Sequence, residues 1–263
     1  MRSSSLALAH RARGALLGAI AGGGESPLLE VLARELAEGR TDLRLLADRW
    51  VERYRLDPRA HDAETAAALE FIATHAAPPP SGGRGSAVLA RVVPVALVAY
   101  RVPRTLVSAT YHIAALTHPA PEAAWGAVAV NVALGRLLEG RRDFVPDVLE
   151  ALIGNAAPER LLAAVRGVPL RRRDALPSPA AAAADPVLAV ELALGLAHHE
   201  PLAPRGFGWL GEHGPSAAAG AAGALLGGRD GEAAVPVHLL PPDRAAQWGA
   251  LADRLARLQP ASR

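Results

Sequence analysis

The 263-residue sequence contains no cysteine and no lysine. The first absence excludes disulfides, thiolate metal sites and a cysteine nucleophile, and it fits a reducing, cytoplasmic setting. The second leaves arginine to carry all 28 basic charges against 26 acidic ones, a formal net charge of +2. With no lysine to titrate, that small excess persists to high pH, so the alkaline isoelectric point overstates how basic the chain is. There is no polybasic tail. The densest run, Arg171–Arg172–Arg173–Asp174, reads as a solvated loop, so no nucleic-acid partner is expected. Long apolar runs are also missing. "VVPVALVAY" and the stretch Gly14–Ala21 fall far short of the ~20 residues a membrane helix needs, and Arg11 and Arg13 interrupt any leader-like pattern. No membrane partner is expected. No Walker loop, His-Glu-x-x-His or Gly-x-Ser-x-Gly pattern is present. The abundance of alanine, glycine, proline and arginine suggests a GC-rich bacterial genome.

What is present is helical periodicity. With 51% hydrophobic residues the chain can bury one large core. Ser26 and Pro27 open a helix with Leu28, Leu32 and Leu36 on one stripe, and Gly39 ends it. Thr41 is the expected cap of the next, with Leu43, Leu46, Trp50 and Tyr54 on its stripe. "DAETAAALEFIATHA" follows, with His61, Asp62 and Glu64 as a helix-start cluster, and then the loop "PPPSGGRG". Pro94 starts or kinks the helix in "SAVLARVVPVALVAY". Pro121, Pro186 and Pro242 start further helices. The stretch 171–184 is expected to be a flexible loop. Nothing alternates as a strand would, and no linker divides the chain. The expectation is one all-α domain over 1–263, with 1–9 and 260–263 as frayed ends.

The stretch "GEHGPSAAAGAAGALLGG" (211–228) has a polar turn feeding a helix of alanine and glycine. Each interior glycine costs ~1 kcal/mol relative to alanine, so their repetition implies close approach of a neighbouring helix or a ligand. The only acid there is Glu212.

Five segments in order resemble the ADP-ribosylglycohydrolases: "RARGALLGAIAGG" (11–23), "TDLRLLADRWVERYRLDPRAHDAETAAAL" (41–69), "SAVLARVVPVAL" (86–97), "ALTHPAPEAAWGAVAV" (115–130) and "AAGALLGGRDG" (221–231). The resemblance implies a compact orthogonal helical bundle. It also implies a pair of magnesium ions held by acidic motifs in two loops, with ADP-ribose positioned beside them. Two adjacent dications need several carboxylates. In the second loop Gly214 and Ser216 stand where the family has aspartates, and Ala217 replaces its threonine. In the first loop only Glu25 and Ser26 remain. The family's Asn-Gly-Ser becomes Ser86–Ala87–Val88 in a gapless reading, whereas a two-residue shift aligns Gly85–Ser86 with its Gly-Ser. Arg91, Pro94 and His118 match. The vestigial ligand pocket implied is Ser86, Arg91, His118 and Ser216.

The main expectation is a pseudo-enzyme with a binding or regulatory role, no catalytic residue and no metal or cofactor. It would bind ADP-ribose or a related nucleotide weakly, or a protein partner. One alternative is an active ADP-ribosyl hydrolase with altered metal dependence, using Glu25 and Glu212 with magnesium. The other is a purely structural or interaction protein whose pocket is filled by side chains. An open cleft beside Arg91 and His118 would favour a binding role. Closure around Val88 would favour a structural one.

Overall fold

Prolines and short polar caps set the helix boundaries, much as the periodicity implies. The computed structural model describes residues 2–24, 26–240 and 242–258, with the backbone alone for 2–7 and 242. The helices are α1 (Arg2–Gly23), α2 (Pro27–Ala37), α3 (Leu43–Leu56), α4 (Ala63–His75), α5 (Ala87–Arg91), α6 (Val93–Ala99), α7 (Pro103–Ala115) and α8 (Pro121–Leu138). They continue as α9 (Val145–Ile153), α10 (Glu159–Gly167), α11 (Pro179–Ala183), α12 (Pro186–His199), α13 (Ala203–Glu212), α14 (Ala217–Asp230) and α15 (Pro242–Arg257). No strand is present among the described residues. The fold is all-α, as expected.

Ser26 caps α2 through Leu29 N–H, and Asp185 caps α12 through the amides of Val187 and Leu188. The cap of α3 is Asp42, which accepts from Leu45 N–H at 2.8 Å, and not the adjacent Thr41. Both residue types satisfy free first-turn amides, and aspartate adds charge toward the helix dipole. The predicted α3 stripe is buried at Leu46 and Trp50, while Leu43 at its start is exposed. Pro94 splits the predicted helix into α5 and α6 at Val92. The Val92 carbonyl at this break accepts from Asn131 Nδ2 on α8 at 2.9 Å, so the interruption leaves it satisfied. The stretch 171–184 is not a bare loop. It contains α11, capped by Ser178, and it anchors Arg171 to buried Glu191 and Arg173 to buried Glu200.

The centre of the molecule is the crossing of α1 and α14. A methyl group added to Gly18 would lie 2.1 Å from the Gly223 carbonyl oxygen, and one added to Gly223 would lie 2.1 Å from that of Gly18. Gly14 and Gly227 repeat this relation one turn away. Glycines four residues apart thus form facing grooves that let two backbones touch, and this accounts for the glycines of α14 by packing. Helices α5, α8 and α12 pack around α14, while α2, α6 and α15 form a neighbouring layer. The crossing brings the end of α1 to the start of α14, where Ser216 N–H donates to Gly22 O at 3.2 Å.

Candidate functional site

Arg91, the last residue of α5, is only 3% exposed. Its Nη1 donates to Thr117 Oγ1 at 2.7 Å and its Nη2 to Thr65 Oγ1 at 2.8 Å. The guanidinium carbon lies 5.7 Å from the centre of the Trp50 ring, which is itself fixed by its indole N–H to Leu28 O. Asp62 Oδ2 is 3.9 Å from Nη2. Burial pushes the Arg91 pKa down to about 10, with Asp62 opposing, so the side chain is cationic at neutral pH. Its Nε has no hydrogen-bond partner.

Both threonines extend this arrangement. Thr65 Oγ1 donates to Asp62 Oδ2 at 2.6 Å, while Asp62 Oδ1 accepts from Thr65 N–H as the cap of α4. Burial alone would raise the Asp62 carboxyl, but the Thr65 bonds and Arg91 outweigh it and hold the pKa below the usual aspartate range. On the other side Thr117 Oγ1 lies 3.0 Å from His118 Nδ1. The His118 ring is fully buried, and its Nε2 has no hydrogen-bond partner. Burial, reinforced by Arg91, pushes its pKa down to about 3, so the imidazole is neutral.

Nε2 faces Glu64, whose Oε2 is 4.0 Å away and accepts from Gly85 N–H at 2.6 Å. One ligand atom each from Asp62, Glu64 and His118 lie within 4.8 Å of one another, with the two carboxylates on the solvent side. The loop before α5 packs against His118 and reaches Glu64 through Gly85. Gly83, at φ +61°, packs so tightly that an added methyl would lie 2.5 Å from His118 Cα.

Of the residues singled out in the sequence, Arg91 and His118 meet through Thr117 Oγ1. Ser86 is buried, and its hydroxyl donates to Ala183 O at 2.8 Å. Val88 is fully buried in the core. Ser216 caps α14, its oxygen accepting from Ala219 N–H. Glu212 is exposed at the end of α13. Glu25 and residues 260–263 lie outside the described residues. A cavity of about 720 Å³ lies among α7, α8 and α9, lined by Tyr100, Arg104, Tyr111, Trp125, Arg136 and Asp147 among others. None of Ser86, Arg91, His118 or Ser216 lines it.

Sequence reasoning reached Arg91 and His118 through a resemblance and treated Asp62 and Glu64 as a helix-start cluster. Asp62 is indeed a cap, but with Glu64 it also faces the imidazole. Thr65 and Thr117, which join the arginine to both groups, were missed. Two carboxylates at i and i+2 across a helix start, on a segment resembling a family pocket, are the one signal that could have pointed there.

The profile of the ADP-ribosylglycohydrolase family matches residues 26–263. A solved structure described as an ADP-ribosylglycohydrolase-related protein complex superposes with a TM-score of 0.74 at 20% identity, covering 98% of this chain and 99% of that one. No curated protein sequence matches the chain. Among the described residues no helix is long and apolar enough to cross a membrane.

Proposed function

The chain belongs to the ADP-ribosylglycohydrolase family, and we propose that it is a member without glycohydrolase activity, serving as a binding or regulatory scaffold. The observation that carries this reading is the state of Arg91. The guanidinium is 3% exposed and donates from both terminal nitrogens to buried threonine hydroxyls, so it is turned into the interior and held there rather than presented to a diphosphate in an open cleft. Ser86 supports it in either sequence register. Its hydroxyl is committed to Ala183 O, and the alternative residue, Val88, is buried and has no hydroxyl.

Among the described residues, the loops resembling the family's two magnesium motifs also offer no fitting donor set. Two hard dications require several oxygen ligands with negative charge. In the loop before α14 the corresponding residues are Gly214, Ser216 and Ala217, and the Ser216 oxygen caps its own helix. No reaction step is therefore assigned to a magnesium pair. Among the roles left to such a scaffold, closure around Val88 and Arg91 favours an interaction surface over retained nucleotide binding.

Calorimetric titration with ADP-ribose, with magnesium and then with EDTA, tests this directly. No saturable heat is expected in either condition, and no ADP-ribose release from ADP-ribosylated arginine or serine substrates. Magnesium-dependent binding or turnover would overturn the reading and restore the active alternative.

A further inference from the structure

We propose that Asp62, Glu64 and His118 form a mononuclear site for a first-row transition dication of the zinc class. The site uses residues other than those of the two loops resembling the family's magnesium motifs. It does not depend on whether hydrolase activity has been lost.

Two carboxylates alone would carry no such conclusion, since exposed acidic pairs are common. The independent observation is His118. Its ring is 0% exposed, its Nε2 has no hydrogen-bond partner, and that nitrogen faces the two acids. A buried polar atom without a partner calls for a physical reason, and a bound ion is one of the few that account for it. The orientation is also the one a metal requires. When Nδ1 carries the proton and donates to Thr117 Oγ1, the Nε2 lone pair points outward. Metal-bound histidines are held in this way, with the second nitrogen donating to a fixed oxygen.

Arg91 gives that orienting layer its rigidity. It donates to Thr117 behind His118 and to Thr65 behind Asp62, so a single buried fork aligns both prospective ligands. The two carboxylates leave the site at a formal charge of −1 after Arg91 is counted, which favours a dication.

The donor set selects the metal class. One imidazole and two carboxylates suit zinc and its neighbours, whereas magnesium and calcium prefer all-oxygen shells. Tetrahedral ligands at zinc distances lie about 3.4 Å apart, so the present separations, all within 4.8 Å, require closure of up to about 1.4 Å. The two carboxylates can supply it, since the Glu64 and Asp62 side chains are 43% and 45% exposed while His118 is fixed. Three protein ligands leave a fourth position for water on the solvent side.

The test uses the full chain, stripped with EDTA and titrated calorimetrically with Zn²⁺, with Co²⁺ added separately as an optical probe. Asp62→Asn and Glu64→Gln keep the amide bonds of the cap and of Gly85, so both variants are expected to fold. Glu212→Gln serves as the control for surface binding. One Zn²⁺ per chain is expected, with tetrahedral Co²⁺ absorption and about 100-fold weaker binding in each of the two variants, while Glu212→Gln matches the parent. Absence of stoichiometric binding would overturn the proposal, as would binding unchanged in both Asp62→Asn and Glu64→Gln.

Discussion

Replacing Gly223 by alanine probes the contact on which the whole bundle rests. The new Cβ would lie 2.1 Å from the Gly18 carbonyl oxygen and 2.9 Å from its carbon, and both are backbone atoms with no rotamer to escape into. Ordinary contact begins near 3.4 Å, so α1 and α14 must part by more than 1 Å, disturbing α14 against α5, α8 and α12 as well. Over-packing of a core costs about 1–3 kcal/mol, and a backbone clash belongs at or above the upper end. Better helix propensity returns ~1 kcal/mol. The net loss expected is about 2 kcal/mol or more, a large part of the ~5–15 kcal/mol typical of a folded chain.

Gly208, on the exposed face of α13, has nothing within 4 Å of an added methyl. The same substitution there should stabilise by about 0.5–1 kcal/mol, so one chemical change has opposite signs at two helical sites. The double variant Gly18→Ala/Gly223→Ala should cost less than the sum of its singles, because the first methyl already separates the helices. Urea unfolding followed by circular dichroism measures the parent, the three single variants and the double variant. A Gly223→Ala variant within 0.5 kcal/mol of the parent, or full additivity in the double variant, would refute the reasoning.

Acid should destabilise the EDTA-treated protein well above the range of ordinary carboxylates. With a folded pKa of about 3 against an unfolded value of about 6.5, His118 contributes stability that is complete above pH 6.5 and lost as pH falls toward 3. The loss is about 2–3 kcal/mol between pH 7 and 4.5. Asp62 acts in the same direction at lower pH, since its carboxyl is depressed in the folded state. NMR of the His118 ring should show it neutral at pH 4.5, and titration near 6.5 would contradict the burial argument. Replacing Arg91 by methionine should cost about 3 kcal/mol in urea unfolding, because it leaves two buried hydroxyls without their donor and Asp62 without its nearest cation. A cost below 1 kcal/mol would show that the fork contributes little.

Most helix boundaries were legible because prolines and short polar caps act locally. Pro27, Pro121, Pro186 and Pro242 each stand at a first turn, and the break at Pro94 follows from its missing N–H. Thr41 and Asp42 were separable only by structure, since adjacent residues of equal capping chemistry compete and backbone geometry decides. The glycines of α14 announced a close neighbour, but the neighbour's identity depended on matching a second glycine ladder, Gly14 and Gly18, some 200 residues earlier. The candidate site was harder to read. Arg91 and His118 were visible through family likeness, yet that likeness implied a pocket lining. The hydroxyls that receive the guanidinium lie 26 residues away on either side, and no local pattern ties them to it.

The two roles open to Arg91 differ in what they couple. An arginine kept to hold a diphosphate would, when removed, change nucleotide binding and leave the protein and any metal site largely unaffected. An arginine that fixes Thr65 and Thr117 acts through them on Asp62 and His118. Its removal should then lower stability and zinc affinity together, the latter by about the 10–100-fold seen when orienting partners of metal ligands are lost. Arg91→Met measured in both assays therefore separates a retained ligand contact from a residue recruited into the interior. A drop in stability with zinc affinity unchanged would assign the fork to folding alone. A parallel loss would tie the burial of Arg91 to the ordering of the proposed zinc site.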